Sequence, residues 1–487
     1  MNFEMYIEEE KSNIEFWMMV VVGGDDGIVE DDCWLSICTF LMDDDGNHRY
    51  LKPLSLVSKQ LLSITNRHRY SFTICTPTLL YLQTLCHRFP NLTSIHITEF
   101  HLQQNTGSHS VQDGVKAMLM ALPKLRKINL YNSYGYYFNV NDSILLNLCK
   151  NCEFLEDIVM FNCPLLTQDG IASAIRERPS LMSLSINLPS NGIPNNISSH
   201  FIDSLVSLKG LTCLDLSYSQ ISDKLLSSIA REDLLLRRLV FQYCTGYSYS
   251  GLVSLLSKCQ RIQHLDLRKA NFLNDQHVVQ LSLFIDNLMS INLGECNMLT
   301  KLALFALVRE CPLLSEIKMD RIESESVENS DSSMDFGVYP RLKSLYLAYN
   351  SWLSDEVINT FASIFPNLQL LDLNSCDISE EVLTLEVLSL SNSGIDDSSL
   401  YMISKSCSGL LQLDLTNCLD VTEKGVMQVV ANCTQLREIY LQGCSKVAAD
   451  VDSMVYIRPS LRKITTPNFS SSQSRMKAFL CRGCLVV

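Results

Sequence analysis

One phrase recurs along this chain: L-x-x-L-x-L, in which apolar and polar positions alternate. It starts at Leu92 ("LTSIHI"), Leu125 ("LRKINL"), Leu155, Leu181, Leu211 ("LTCLDL"), Leu236 and Ile262 ("IQHLDL"). It continues at Leu288, Leu314, Leu342 ("LKSLYL"), Leu368 ("LQLLDL"), Leu385 ("LEVLSL"), Leu410, Leu436 ("LREIYL") and, more weakly, Leu461. Most steps are 25 or 26 residues. The alternation predicts a short strand with its Leu side chains inward. A turn follows, then a helix. In "TEKGVMQVVANC", Thr422 stands where an N-cap belongs, and Val426, Val429 and Val430 recur at helical spacing. Ser222 and Ser354 repeat that device in other units. One strand and one helix cannot bury their own apolar face, but a stack of such units can. Fifteen parallel strands, about 4.8 Å apart, make a row on the order of 70 Å long.

The cysteines follow the same period. Eight residues after the first Leu of a unit lie Cys163, Cys244, Cys296, Cys376, Cys418 and Cys444, with Asn350 in the same place and Ser133, Ser219 and Ser393 in others. A second set, Cys152, Cys259, Cys311, Cys407 and Cys433, falls three residues before the next strand. Eleven of the 19 cysteines therefore obey a packing rule, which points to small buried side chains in a reducing compartment. "CRGC" (Cys481 to Cys484) is one C-x-x-C without a second pair, too few ligands for zinc.

This pattern resembles the leucine-rich repeat family in its cysteine-containing subclass, over about Leu79 to Leu461. The resemblance implies an α/β solenoid, a horseshoe with parallel strands on the concave face and helices outside.

Residues 28–72 break the period. Asp32 can cap a helix carrying Trp34, Ile37, Cys38 and Leu41 on one face. "MDDDGNHRY" reads as a loop. Leu54, Val57, Leu61 and Ile64 mark a second helical stretch, broken near Ser58. "EDDCWLSICTFL" and "LKPLSLVSKQLLSI" resemble the helices of an F-box, although Val29-Glu30 stands where that family has Leu-Pro, and Leu61 or Leu62 where it has an aromatic. The organisation expected is a tail over 1–27, a three-helix F-box-like domain over 28–72, a repeat solenoid over 73–466 and a tail over 467–487.

Composition narrows the classes. A net charge of −14 leaves no excess of Lys and Arg for phosphates, which argues against nucleic acid as partner. No apolar run reaches the roughly 18 residues of a membrane span, and the stretch Ile14 to Gly24 follows an acidic lead, not the basic one of a secretory signal. The reading is a protein of the cytoplasm, the nucleus or both. "VGGDDG" lacks the phosphate-loop Lys, and "GYSYSG" misses the nucleophile elbow by one residue. A non-catalytic protein without cofactor is the expectation.

Proteins that join an F-box to leucine-rich repeats, plant forms among them, are substrate receptors of SCF-type ubiquitin ligases. The resemblance implies a Skp-type adaptor and a cullin scaffold as partners and a protein substrate on the repeats. Adaptor docking would fall to Trp34, Ile37, Leu41, Pro53, Leu54, Leu56 and Val57. Substrate would meet the exposed strand positions Asn129, Asp215, Asp266, Asn292, Lys318, Tyr346, Asp372, Asp414 and Tyr440, whose four Asp suggest a basic or hydroxyl-rich target. The competing readings are a binding scaffold with no ligase role and a small-molecule receptor of similar build.

Two irregularities stand out. "DRIESESVENSDSSMDFGVYP" (Asp320 to Pro340) is an acidic, Ser-rich insertion that reads as a loop and a candidate for phosphorylation. Leu368 to Leu385 spans only 17 residues, too few for a helix, and predicts a local bend or flaw. The end "CLVV" has the Cys-aliphatic-aliphatic-X form of a prenylation signal, with Cys484 as the residue that would carry the lipid, although Val487 is not a usual last residue.

Overall fold

In a computed structural model, the described residues are 54–75, 84, 87–99, 124–130, 140–188, 197–322, 337–376, 385–448, 451–466 and 484–486. The chain divides into two compact units, Met1–Asp215 and Leu216–Val487. In the first, α1 (Lys59–Arg67) leads into β1 (Ser71–Cys75), β2 (Ser94–Glu99), β3 (Lys127–Leu130), α2 (Asp142–Asn151) and β4 (Asp157–Met160). Then come α3 (Gln168–Arg176), β5 (Ser183–Ile186), α4 (Ser199–Val206) and β6 (Cys213–Asp215). Strands β1 to β6 pair in parallel in chain order.

The second unit opens with α5 (Asp223–Arg231), β7 (Arg238–Val240), α6 (Tyr249–Leu256), β8 (His264–Asp266), α7 (Asp275–Ser282) and β9 (Ser290–Asn292). It continues with α8 (Lys301–Glu310), β10 (Glu316–Lys318), β11 (Ser344–Tyr346), α9 (Asp355–Ile364), β12 (Leu370–Asp372) and β13 (Val387–Ser389). It closes with α10 (Asp397–Ser406), β14 (Gln412–Asp414), α11 (Glu423–Asn432), β15 (Glu438–Tyr440), α12 (Val451–Ile457), β16 (Lys463–Thr465) and β17 (Leu485–Val486). Strands β7 to β17 also pair in parallel, each with the next.

One unit shows why the sequence folds this way. Leu410, Leu413, Leu415, Cys418, Val421, Val426, Val429, Val430 and Cys433 are all fully buried. Strand β14 alternates outward, inward, outward, so only Leu413 of its three residues enters the core. Each fully buried Leu or Val contributes roughly 1.5–3 kcal/mol. The Thr422 hydroxyl caps α11 by accepting from Lys424 N–H at 3.2 Å, and Ser222 caps α5 through Leu225 N–H. Ser354 holds the N-cap position of α9 in extended backbone but makes no side-chain cap bond.

The repeat expectation is met, and it falls short at both ends. Strand β1 pairs with β2 ahead of the first phrase, and β17 pairs with β16 beyond the last. The short step between Leu368 and Leu385 does not break the sheet: Leu370, Leu371 and Asp372 of β12 stand opposite Val387, Leu388 and Ser389 of β13.

The turn after each strand has a backbone signature. The residue seven places after the first Leu is left-handed in unit after unit: Asn162, Tyr218, Tyr243, Lys269, Glu295, Arg321, Tyr349, Ser375, Asn392 and Asn417, with φ between 53° and 70°. That conformation costs roughly 1–2 kcal/mol for most residues. It is held by one further rung of the ladder. Tyr243 N–H donates to the Arg268 carbonyl at 3.0 Å, Lys269 to Gly294 at 2.9 Å and Asn417 to Gln442 at 2.7 Å.

The next residue is the Cys/Asn position, and its role is a hydrogen bond across units. The thiols of Cys244, Cys418 and Cys444 donate to the carbonyls of Leu216, Leu390 and Leu415 at 2.9, 3.1 and 2.9 Å. Asn350 makes three bonds here, donating to the Met319 carbonyl of the preceding unit and to the Leu347 carbonyl of its own, and accepting from Ile322 N–H of the preceding unit. The described cysteines are free thiols. Burial pushes Cys163 and Cys296 up to about 12, so both thiols stay protonated, and they donate to the Phe161 and Leu267 carbonyls at 3.6 and 3.4 Å.

Candidate protein-binding surfaces

The first surface lies ahead of the repeats. Ser58, in extended backbone, starts α1 by accepting from Leu61 N–H at 3.1 Å. Leu54 is helical and Ser55 to Val57 form a turn after it, closed by Val57 N–H donating to the Leu54 carbonyl at 3.2 Å, so the helical stretch is broken before Ser58, as the sequence predicts. The helix points Leu61 and Ile64 into the core, while Leu56 and Val57 remain 43% and 36% exposed and Leu54 is half-buried. Of the docking residues expected from sequence, Leu56 and Val57 thus share one turn, and Leu54 closes it from the helical residue before. Trp34, Ile37, Leu41 and Pro53 lie outside the described residues.

The second surface is the outward face of the sheets. In the first unit, the register sets His96, Asn129, Val159, Ser185 and Asp215 in one row. Asn129 is half-buried, and its Oδ1 has no partner among the described residues. Beside it, Lys127 pairs with Asp157 at 2.8 Å.

In the second unit, one row holds Asp266, Asn292, Lys318, Tyr346, Asp372, Ser389, Asp414 and Tyr440. The structure gives the acidic and amide members a local task. Asp266 Oδ1 accepts from Arg268 N–H at 3.0 Å, Asn292 Oδ1 from Gly294 N–H at 3.0 Å, Asp372 Oδ1 from Asn374 N–H at 3.1 Å and Asp414 Oδ1 from Thr416 N–H at 2.9 Å. Each side chain closes the turn two residues on, as Asx turns do. The "L-D-L" recurrence is thereby a turn device before it is a recognition surface, and the repeated Asp two residues before the turn is the signal that reveals it. Asp266 also accepts from Asn292 Nδ2 at 2.8 Å.

The remaining members are bound to neighbours. Lys318 pairs with Glu316 at 2.8 Å and lies 4.8 Å over the Tyr346 ring. Tyr440 donates to Glu438 at 2.5 Å and accepts from Lys463 at 3.2 Å.

A cluster beside this row has no counterpart in the sequence reading. Arg268 reaches Glu295 and Asp320 at 2.7 Å each and adds a second bond to each carboxylate at 3.2 and 3.0 Å. The Tyr243 hydroxyl donates to Glu295 at 2.6 Å, and the Tyr243 ring stacks on Tyr218 at 5.3 Å. Burial pushes Glu295 up, but the Tyr243 and Arg268 hydrogen bonds and the nearby cations outweigh it, and its carboxyl ends below the usual range. The cluster joins residues 52 apart in sequence, and no single phrase carries it.

At the chain's end, Cys484 is fully buried beside β17, where burial pushes its thiol up. Among the described residues no group of three or more His, Cys, Asp or Glu is placed to hold a metal ion. No helix among them is long and apolar enough to cross a membrane.

Stacked strand-turn-helix units, in parallel register with thiol and amide ladders beneath, define a protein of the leucine-rich repeat solenoid class. The chain's likeness to particular known proteins is partial. No family model matches the chain. F-box/LRR-repeat protein 4 of Bos taurus is 25% identical over 221 residues, which is 45% of this chain and only 28% of that protein's length. Among solved structures, a chain of the yeast Rad7 and Elc1 complex superimposes with a TM-score of 0.42 at 15% identity, covering 87% of this chain and 91% of that one. A chain of the Drosophila Toll–Spätzle complex gives a TM-score of 0.38 at 14% identity, covering 81% and 57%.

Proposed function

We propose that this protein is the substrate-recognition subunit of an SCF-type ubiquitin ligase: its N-terminal segment docks a Skp-type adaptor and its repeats hold the target. The observation that carries the reading is the exposed pair Leu56 and Val57, set on a turn directly before α1 by the Ser58 cap. Apolar side chains left outside the core at a short helical head suit docking to a partner helix. The similarity to an F-box/LRR-repeat protein supports the same assignment. In this role the protein makes and breaks no bonds. It raises the effective concentration of a substrate lysine near a ubiquitin-charged enzyme, working with a cullin scaffold in the cytoplasm or nucleus.

Co-purification with a Skp-type adaptor tests the proposal. The wild-type chain should retain the adaptor, and Leu56→Asp with Val57→Asp should lose it while its melting temperature stays unchanged, since both positions face solvent. Adaptor capture by the double variant, or none by the wild type, overturns the reading in favour of a binding scaffold.

A further inference from the structure

We infer that the sheet face over β11 to β14 receives an extended peptide segment that carries a lysine or arginine two residues from an aliphatic side chain. The inference rests on the proposed role of the sheet face as the place where substrate is held, and it names the chemistry of that substrate.

The first and third residues of these strands point outward. The register sets Ser344, Leu370, Val387 and Gln412 in one row and Tyr346, Asp372, Ser389 and Asp414 in the next. From β7 to β16 the other members of the first row are polar, with Arg238, His264, Ser290, Glu316, Glu438 and Lys463 in that place, and Leu485 follows only on the terminal β17. Leu370 and Val387 are neighbours across a strand pair, half-buried, and turned away from the core. Two adjacent aliphatic side chains flanked by polar ones on the outer sheet face have no packing role beneath the sheet, so a partner that covers them gains apolar burial.

Charge complementarity gives the rest. On neighbouring strands the carboxylates are matched: Glu316 by Lys318, and Glu295 and Asp320 by Arg268. Asp372 and Asp414 are matched by no cation among the described residues; each bonds a backbone N–H only. Burial pushes Asp372 up, and the negative Asp320 and Asp414 add to this. The groups around them are neutral or already engaged: Ser389 donates to Asn374, Gln369 donates to Glu386, and Lys318 covers Tyr346. Outward neighbours two apart on one strand, such as Leu370 and Asp372, stand about 7 Å apart. An extended peptide bearing a basic and an aliphatic residue at i and i+2 presents them at the same separation. A polyanion is repelled by the same carboxylates.

Fluorescence anisotropy on the full chain tests this, with short labelled peptides in a Gly/Ser background containing Arg-x-Leu, Glu-x-Leu or Arg-x-Ser. Arg-x-Leu should bind the wild type at least about tenfold tighter than Glu-x-Leu. Asp372→Asn should erase that preference, Asp372→Lys should invert it, and Leu370→Ser with Val387→Ser should erase only the advantage over Arg-x-Ser. Equal binding of Arg-x-Leu and Glu-x-Leu by the wild type, or an undiminished Arg preference in Asp372→Lys, overturns the inference. Adaptor capture, measured on the same preparations, separates the two ideas. Lost discrimination with adaptor retained sinks only the peptide chemistry, and discrimination without adaptor sinks only the ligase assignment.

Discussion

The Asp223 carboxylate, in the first turn of α5, accepts both the backbone N–H and the hydroxyl of Ser248, the N-cap of α6, at 2.8 and 2.6 Å. The relationship recurs between Asp142 and Thr167, Asp275 and Thr300, and Asp397 and Thr422. Each of these four helix starts is therefore held by its own cap and by an acid from the preceding unit. The acid needs space: a Cβ built on Gly251 would lie 2.1 Å from Asp223 Oδ1, and one on Gly425 would lie 2.4 Å from Asp397 Oδ1.

A double-mutant cycle exposes this coupling. Asp223→Ala should cost about 1–2 kcal/mol, because the Ser248 cap loses both contacts. Gly251→Ala should destabilise the wild-type chain by crowding the carboxylate. In the Asp223→Ala background the same change should be neutral or stabilising by up to about 1 kcal/mol, as Gly→Ala is in an unobstructed helix. Chemical denaturation of the four proteins reads the interaction term, and simple additivity would rule the ladder out as a coupled device.

The Cys/Asn position predicts unequal costs for equal truncations. Asn350→Ala removes three hydrogen bonds and strands the Met319 carbonyl and the Ile322 N–H, while the Leu347 carbonyl keeps the Cys376 thiol at 3.4 Å, a loss of about 2–4 kcal/mol. Cys444→Ala removes one thiol donor to the Leu415 carbonyl and should cost about 1–2 kcal/mol. Urea midpoints of the two variants compare them directly, and the order should not reverse.

Period and offset made most of this scaffold legible. The phrase at Leu410 names the inward residues, Thr422 names the cap, and the offset of Cys418 places a small side chain under the turn. What stayed hidden is relational. The left-handed residue before each Cys/Asn is Tyr218, Lys269 or Glu295 as readily as Asn417, so residue type does not mark it; the rung to the next unit's carbonyl does. The Asp row looked like a recognition surface because its exposure follows from strand alternation, whereas its turn-closing bonds depend on backbone geometry. Leu370 and Val387 read as ordinary strand residues until the register made them neighbours.

The Arg268 cluster should respond to both mutation and acid. Arg268→Ala leaves Glu295 and Asp320, each only 15% exposed, without their shared cation, at a cost of about 2 kcal/mol. Glu295 titrates below the usual carboxylate range in the folded chain. Its contribution is present above the unfolded pKa, near 4, and is lost as pH falls through the lower folded value. The stability gap between wild type and Arg268→Ala should therefore narrow as pH drops from neutrality to about 3, followed by melting temperature.

Cys484 offers a test by mass. Its side chain is buried, and Leu485 and Val486 are engaged as β17 against β16. A chain held this way hides the Cys-aliphatic-aliphatic-X end from modification, so protein made in eukaryotic cells should show the unmodified intact mass. A gain matching a prenyl group would mean that β17 is released.

Asp372 gives the sharpest stability prediction, because its sign runs against the usual behaviour of aspartates. Burial, reinforced by Asp320 and Asp414, lifts its folded pKa above the unfolded value near 3.9. The folded chain therefore holds this proton more tightly than the unfolded chain does. The associated stability is fully present below the unfolded pKa and is lost as pH rises through the folded one. At neutral pH the ionised side chain is a net burden, kept beside Leu370 and Val387 where a cationic partner would relieve it. Asp372→Asn keeps an oxygen to accept from Asn374 N–H and removes the charge, so it should raise the melting temperature at pH 7 by about 1–3 °C. The gain should vanish near pH 3, where the wild-type carboxyl is protonated as well. Denaturation of both proteins across that range decides the matter: a variant less stable than wild type at pH 7, or a gain that persists unchanged at pH 3, would mean that the carboxylate is not electrostatically burdened.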